Sequence, residues 1–430
     1  MLPDPITEIL LAILALIIGI GMWIILYRYS MVIIILSLAA FVSRVVFTQE
    51  IIIFKINQYN IFIFDILSLY LLSISIVRLI KPKIRHSQSV FGIIFLGILL
   101  FLSWFRGTLI FGLEPSTNDM RIYLYFFAVI FYTVTHSYTP ALSNKFAAYL
   151  GLSSALLIVI ASIRWTLIAS GLITNANWIA PDGRMIRVIS AAATFLLLQT
   201  QIYIFYFRSK LNWKPLIFFI ALLVTILIII LQHRTVWAAL LVAISLATGF
   251  KSKQSIWLIL CVLFSIAIMV LLFINSDFSL INLSGTSLDL NSFSWRILGW
   301  EALLAPKNFH TTLDYFIGQP FGTGYTRFLT STNYATTVSP HNFYVQTFLN
   351  IGGVGLFIIL AYYGWLLKSL WNQRYDQVSR GFFILLSTQL IYYITYSPSY
   401  EQGFILGLAV IFVHWKKREI STKKVNGSVS

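Results

Sequence analysis

The amino-acid sequence predicts an all-α polytopic membrane protein with about 12–13 transmembrane helices and one large external loop. Of its 430 residues, 59% are hydrophobic and only 10% are charged, whereas soluble domains carry about 25% charged residues. Apolar runs long enough to cross a bilayer recur along the chain, and one 67-residue interval, 275–341, interrupts them. This composition excludes a disordered chain and a coiled coil. The single cysteine, Cys261, excludes an internal disulfide.

The apolar runs define about thirteen candidate spans, each near the length of roughly 17–25 residues that a membrane helix needs. They are 6–26, 31–47, 61–80, 89–104, 121–138, 147–168, 187–207, 215–232, 235–250, 256–274, 342–367, 381–396 and 403–415. The first span is not a signal peptide, because no basic segment precedes it. Residues 48–60 are amphipathic and are expected at the membrane interface.

The spans divide the chain into four regions. These are transmembrane helices 1–10 in residues 1–274, the large periplasmic or extracytoplasmic loop 275–341, the C-terminal transmembrane helices in 342–415, and a basic cytoplasmic tail, 416–430.

The net charge of +16 follows the predicted topology. With the basic tail in the cytoplasm, alternation of the spans places most Lys and Arg residues inside and the N-terminus outside, as the positive-inside rule requires. Among acidic residues, only Asp376 and Glu419 fall inside. No basic face is interleaved with exposed aromatic residues, so we expect a lipid bilayer as partner and no nucleic acid.

Two arginines and one histidine on the predicted outer face are candidates for chemistry. Arg234 lies in a very short turn between two apolar runs, where a permanent cation needs water, protein or an anionic ligand. The alternative for Arg234 is snorkelling to the interface. Arg296 lies in a predicted short amphipathic helix, where a salt bridge to Glu301 is the alternative. His341 follows Pro340 at a predicted helix start; there the helix dipole lowers its pKa and favours a neutral base, although a capping role is the alternative.

Other chemistries have weaker support. No His, Asp or Glu spacing matches a metal site such as H-E-x-x-H, so neither a metal nor a cofactor is expected. Residues 318–324 form a glycine-rich turn without the pattern of a P-loop.

In order and spacing, these motifs resemble the O-antigen ligase and O-antigen polymerase superfamily. The series begins with Arg234 and Trp237, continues with Trp295-Arg296 and Trp300, and then reaches Gly318-x-Pro320-x-Gly322-x-Gly324. It ends with His341-Asn342, followed after nine residues by Gly352-Gly353-Val354-Gly355. The motif-bearing resemblance covers roughly 215–370. Ligases often show Arg-x3-Leu in the loop, but here Trp300 stands four residues after Arg296, which weakens the choice of ligase over polymerase.

The resemblance implies a GT-C-like fold and a metal-independent, inverting glycosyltransferase in the bacterial inner membrane. Members move a glycan from undecaprenyl diphosphate to an acceptor sugar, on lipid A core or a growing polysaccharide, outside the membrane. Arg234 and Arg296 match the positions that bind the diphosphate, and His341 matches the general base. Further candidate substrate contacts are Arg184, Arg187, Asn342 and Arg327, with interfacial anchoring as the alternative for Arg184 and Arg187.

Three functional hypotheses therefore stay open. The first is a lipid-linked glycan transferase, acting as a ligase or as a polymerase for O-antigen, capsule or exopolysaccharide. The second is a small-solute or bicarbonate-type transporter, for which Asp65 and Arg44 are the candidate intramembrane charges. The third is a non-catalytic scaffold of a polysaccharide export complex.

Overall fold

A computed structural model describes most of the chain. The described residues are 5–28, 30–47, 52–56, 59–80, 88–172, 188–207, 214–275, 291–309, 311–329 and 334–427. The chain is mostly helical. Its α-helices are α1 (Pro5–Arg28), α2 (Ser30–Phe47), α3 (Ile63–Leu79), α4 (Gln88–Phe111), α5 (Leu113–Val134), α6 (Pro140–Ala169), α7 (Ala191–Phe207), α8 (Lys214–Ile230), α9 (Arg234–Phe250), α10 (Lys253–Asn275), α11 (Asn291–Leu304), α12 (Thr312–Ile317), α13 (Phe343–Asn372), α14 (Gln377–Tyr392) and α15 (Tyr400–Gly427).

Every segment predicted as a span coincides with a helix, and α11 and α12 lie in the loop between α10 and α13. Among the described residues, three helices are long and apolar enough to cross a membrane by length and composition, namely Val90–Phe111, Pro140–Ile168 and Phe343–Asn372. Several shorter helices are also strongly apolar. The architecture is therefore compatible with an all-α membrane protein.

Several helix boundaries differ from the predicted spans; α5, for example, begins at Leu113 rather than at residue 121. Helix α6 begins seven residues early, at Pro140, because the Thr139 hydroxyl accepts a hydrogen bond from Leu142 N at 3.1 Å and proline suits a first helical turn. Helix α15 continues without interruption into the basic tail as far as Gly427. The tail is thus helical rather than a separate extension, over the part that the structure describes.

Two small antiparallel hairpins depart from the all-α prediction. Strands β1 (Ile52–Ile56) and β2 (Tyr59–Phe62) pair within the segment predicted only as amphipathic, where isoleucine and aromatic residues favour strands. In the large loop, β3 (Arg327–Leu329) pairs with β4 (Tyr334–Thr336).

Helices α5, α7 and the first half of α15 form the interior. Helix α5 packs against α3, α4 and α15, and nearly every side chain of α7 is buried. Some polar groups inside pair between helices: the Ser154 hydroxyl donates to Thr200 Oγ1, and the Gln201 amide donates to Thr225 Oγ1, both at 2.8 Å. On the periphery, α4 leaves Phe91 74% exposed and Leu109 71% exposed. Apolar surface of this kind is what a bilayer would cover.

Charged residues collect at the two ends of the helix bundle. At one end, Arg121 of α5 forms an ion pair with Asp65 of α3 at 3.0 Å. At the opposite ends of the same two helices, Arg78 contacts the His136 ring. Helices α3 and α5 therefore run in the same direction, as the predicted alternation of spans requires.

Candidate functional site

The large loop brings Arg296, Arg327 and His341 together, although they lie on three different segments of the chain. Both guanidinium groups act electrostatically on the His341 imidazole. Helix α11, which carries Arg296, is fastened to the segment before His341 by a 2.7 Å hydrogen bond from Trp300 Nε1 to Pro340 O. We call Arg296, Arg327 and His341 the loop cluster.

Arg327 begins β3 and is only 5% exposed. Its Nη1 donates to Tyr325 O at 3.1 Å and to Val338 O at 2.7 Å, and its guanidinium lies 5.6 Å from the Trp295 ring centre. These contacts tie β3, α11 and the chain before His341 into one unit. Arg327 was predicted to contact substrate. In the structure, much of its hydrogen-bonding capacity instead supports the loop.

A glycine makes this packing possible. A Cβ added at Gly299 of α11 would lie 2.9 Å from Arg327 Nε, closer than side chains tolerate. Any larger residue at position 299 would therefore displace the Arg327 guanidinium from α11.

The loop cluster contains two permanent positive charges, on Arg296 and Arg327. Within the described ranges, no acidic side chain forms an ion pair with Arg296 or Arg327, so the alternative Arg296–Glu301 salt bridge does not form. Among the same residues, Arg327 Nε has no hydrogen-bond partner. A guanidinium cannot release its proton. The loop cluster consequently offers positive potential to an anion.

His341 adopts a left-handed backbone conformation, with φ at +49°. This region is uncommon for residues other than glycine, and it turns the chain sharply before α13. Burial, and then the charges of Arg296 and Arg327, lower the pKa of His341 from its ordinary value near 6.5. The sequence predicted this lowering of the His341 pKa, but it attributed the shift to the helix dipole. In the structure the causes are burial and two cations. The imidazole is neutral at pH 7, with a lone pair able to accept a proton.

Asn342 is the N-cap of α13. Its Oδ1 accepts a hydrogen bond from Val345 N at 3.0 Å, and the side chain is buried. The next residue, Phe343, donates its N–H to Tyr393 O at 3.0 Å. Asn342, predicted as a substrate contact, therefore fixes the helix start beside His341.

Arg234 is the first residue of α9. The hydroxyl of the adjacent Thr235 contacts that of Thr395, in the α14–α15 loop that also receives the Phe343 N–H. Arg234 thus lies at the same end of the bundle as His341. Among the described groups that lower the His341 pKa, however, Arg234 does not appear. Arg184 and Arg187 lie outside the described residues.

The glycine-rich turn at 318–324 and the glycine motif at 352–355 contact each other through their backbones. Gly352 interrupts the regular conformation of α13 with φ at +68°, and Gly318 at the end of α12 has φ at +81°. A Cβ at Gly352 would lie 2.5 Å from Gly318 N and closer still to Phe316 O. The adjacent Gln319 N donates to Leu349 O at 2.6 Å. Both motifs therefore serve to seat the large loop on α13.

Helices α4 and α5 hold the glycine-rich turn from the other side. Arg106 donates to Gly318 O at 3.1 Å and pairs with Asp314 at 3.2 Å, and Asp119 accepts from Gly322 N at 2.9 Å. From the sequence alone, Arg106 is expected only to anchor a helix end at the membrane interface, and Asp119 is not a candidate site residue. Each of these residues lies more than 200 positions along the chain from its partner in the turn, so the contacts form only in the folded protein.

Across the described part of the chain, no three His, Cys, Asp or Glu side chains stand close enough to bind a metal ion. The chain matches no protein-family model and no curated protein. The loop cluster and the sequence motifs around it are therefore the features that indicate the chemistry of the site.

Replacement of Gly352 by alanine should destabilise the protein. The new Cβ would collide with the α12 backbone at a positive φ, so we expect the free energy of unfolding to fall by about 2–6 kcal/mol. Unfolding in mixed micelles measures this. Gly364→Ala, on the same helix with no heavy atom within 4 Å of an added Cβ, is the matched control and should change stability by about 1 kcal/mol or less. Equal effects of the two substitutions would contradict the packing at Gly352.

Histidine NMR of the protein in nanodiscs should give His341 a pKa below about 6.5. The signal is assigned by its loss in His341→Gln. Arg296→Gln removes one repelling cation, so the pKa of His341 should rise toward its ordinary value; Arg374→Gln, on the opposite end of α13, should leave it unchanged. A pKa at or above 6.5, or one insensitive to Arg296, would refute the electrostatic account.

Proposed function

We propose that the protein is a glycosyltransferase that moves a glycan from undecaprenyl diphosphate to an acceptor sugar, as O-antigen ligases do. The observation that carries this proposal is a neutral, half-buried imidazole beside two arginines that lack carboxylate partners among the described residues. Such a site suits a reaction in which one substrate loses a proton while another leaves as a phosphate anion.

The negative charge of the leaving group explains why arginines are needed at the site. Breaking the bond between the anomeric carbon and the diphosphate oxygen places additional negative charge on that oxygen. Arg296 lies in the loop cluster, and Arg234 lies at the same end of the bundle, so we assign both to the diphosphate. Arginine matches phosphate oxygens with two parallel hydrogen bonds. Two guanidinium groups can therefore supply the charge neutralisation that metal ions provide in other phosphate chemistry.

The proton that the acceptor hydroxyl must lose explains the need for His341. Its Nε2 or Nδ1 takes the proton of the acceptor hydroxyl as that oxygen bonds to the anomeric carbon, opposite the departing diphosphate. Attack on the opposite face inverts the anomeric centre. The imidazolium formed in this step is disfavoured by Arg296 and Arg327 but stabilised by the diphosphate. The burial that lowers the pKa of His341 keeps the base unprotonated before substrate arrives.

We place this reaction on the outer face of the bacterial inner membrane, in a polytopic protein of about 12–13 transmembrane helices with a cytoplasmic C-terminus. The separation of charges along the helices supports this orientation. Arg44, Arg121 and Arg164, which alternation of the predicted spans assigns to the outer side, line one cavity. Lys416, predicted inside, contacts the inside carboxylates of Asp376 at 3.6 Å and Glu419 at 3.1 Å.

A polymerase of the same superfamily is the second candidate. Trp300 occupies the position where ligases often have leucine, and it donates to Pro340 O beside the catalytic histidine. A polymerase would use the same donor and base but a lipid-linked repeat unit as acceptor. The transporter hypothesis has less support, because the Asp65 carboxylate is engaged by both Arg121 and the Tyr125 hydroxyl, the latter at 2.7 Å.

Substitution of His341 or Arg296 by alanine should abolish glycan transfer. Loss of a general base reduces rates by about 10²–10⁴-fold, and loss of charge stabilisation by about 10²–10³-fold. Polysaccharide gels from a complemented deletion strain, with membrane levels checked by immunoblot, measure the outcome. Arg374→Ala, at the other end of α13, is the control and should restore product fully.

Normal products from either His341→Ala or Arg296→Ala would exclude the mechanism and favour a scaffold. The gel pattern of the deletion strain also separates the two enzyme classes. Loss of a ligase leaves long polymer on the lipid carrier, whereas loss of a polymerase leaves single repeat units on the acceptor.

A further inference from the structure

A cavity of about 620 Å³, with a lining that is mostly apolar but includes three arginines, lies at the same end of the bundle as the proposed site. This volume falls within the range of roughly 300–1,000 Å³ that is typical of small-molecule sites. Helices α2, α5, α6 and α7 and the α14–α15 loop supply most of its wall. None of the residues to which we assign catalysis or diphosphate binding lines it.

The α14–α15 loop joins this cavity to the proposed site. Ser397, which lines the cavity, donates to Gln346 Oε1 at 2.8 Å in the first turn of α13. Two residues earlier, the Thr395 hydroxyl contacts the Thr235 hydroxyl, next to Arg234. One short loop therefore separates the cavity from both Arg234 and the helix that begins after His341.

Three arginines line the cavity. Arg121 pairs with Asp65, and Arg44 interacts electrostatically with Glu401. Arg164 is held instead by three main-chain oxygens, donating to Val188 O at 2.8 Å, to Val45 O at 2.6 Å and to Val46 O at 2.7 Å. Carbonyl groups orient this guanidinium without neutralising it. The cavity thus retains about one positive charge.

The rest of the lining combines aromatic and aliphatic side chains with hydroxyl groups. Tyr125, Tyr396 and Tyr400 provide ring faces and edges, and Ser190, Ser397 and Ser399 provide small hydroxyls. A sugar ring presents apolar C–H faces and hydroxyl edges, so it complements such a surface. A purely lipidic ligand would favour an apolar lining without arginines.

We propose that this cavity binds a sugar residue that carries one anionic group, a carboxylate or a phosphate, and that this residue belongs to the acceptor. The assignment to the acceptor rests on the proposed function, whereas the binding of an anionic sugar does not. The cavity would hold the acceptor chain while its reactive hydroxyl reaches His341 across the α14–α15 loop.

Binding is measured by saturation-transfer NMR on the detergent-solubilised full chain, with methyl glucuronide, glucose 1-phosphate and the neutral methyl glucoside as probes. A hydrogen bond to a charged group strengthens binding by about ten- to a hundredfold. We therefore expect at least one charged sugar to bind about tenfold more tightly than methyl glucoside. Equal affinities for all three would overturn the proposal. Full displacement of the charged sugars by an equal concentration of inorganic phosphate would indicate a plain anion site and would overturn it too.

Two variants test the cavity, so that the result does not depend on the folding of either one. Arg44→Gln and Tyr396→Ala should each weaken binding of the preferred charged sugar by about tenfold, while Arg374→Gln and His341→Ala should not. Wild-type affinity in both cavity variants would overturn the proposal.

A transfer assay separates the failure of this inference from the failure of the proposed function. With an anionic acceptor, Arg44→Gln should raise KM by about tenfold and change kcat little, whereas His341→Ala should lower kcat. Normal KM in Arg44→Gln and Tyr396→Ala, with active wild-type enzyme, would overturn the acceptor assignment alone. Sugar binding without any transfer by the wild type would instead overturn the proposed function.

Discussion

Repulsion between a protonated His341 and the guanidinium groups of Arg296 and Arg327 is the interaction on which the site depends. Neither arginine can lose its charge, and neither has a carboxylate partner among the described residues. Burial, together with these two charges, therefore lowers the pKa of His341 and favours the neutral imidazole. A diphosphate held by Arg234 and Arg296, as we propose, would offset positive charge beside the imidazole and make proton transfer to it favourable. The base would thus be most effective when the donor is bound.

This electrostatic arrangement requires a loop that is held in place, and close backbone packing holds it. Gly318 and Gly352 allow the large loop to rest directly on α13, and Trp300 ties α11 to the residue before His341. Arg106 and Asp119 secure the same turn from α4 and α5. Helices that are long enough to span a membrane therefore position a short segment at their end. This matters because small displacements of a base or a cation reduce catalysis strongly.

Much of the helical framework was predictable, because long apolar runs mark helices independently of their neighbours. The hairpin at 52–62 was missed, because an amphipathic run has no unique structure until a partner strand pairs with it. The direction of the His341 pKa shift was predicted, but its cause was not, since Arg327 approaches His341 only through the folded loop. Arg44, Arg121 and Arg164 were predicted on one face, yet their shared cavity depends on how four helices pack. The glycine motifs were recognised as turns, whereas their mutual contact required the structure.

The proposed chemistry divides the outer end of the bundle into two zones, a diphosphate site between Arg234 and Arg296 and an acceptor cavity behind the α14–α15 loop. His341 stands at their boundary. Cryo-electron microscopy of the full chain in nanodiscs with undecaprenyl diphosphate tests the first zone most directly. The account predicts phosphate density in contact with both Arg234 and Arg296 and within reach of His341. Density away from both arginines, or at the opposite end near Lys416, would contradict it.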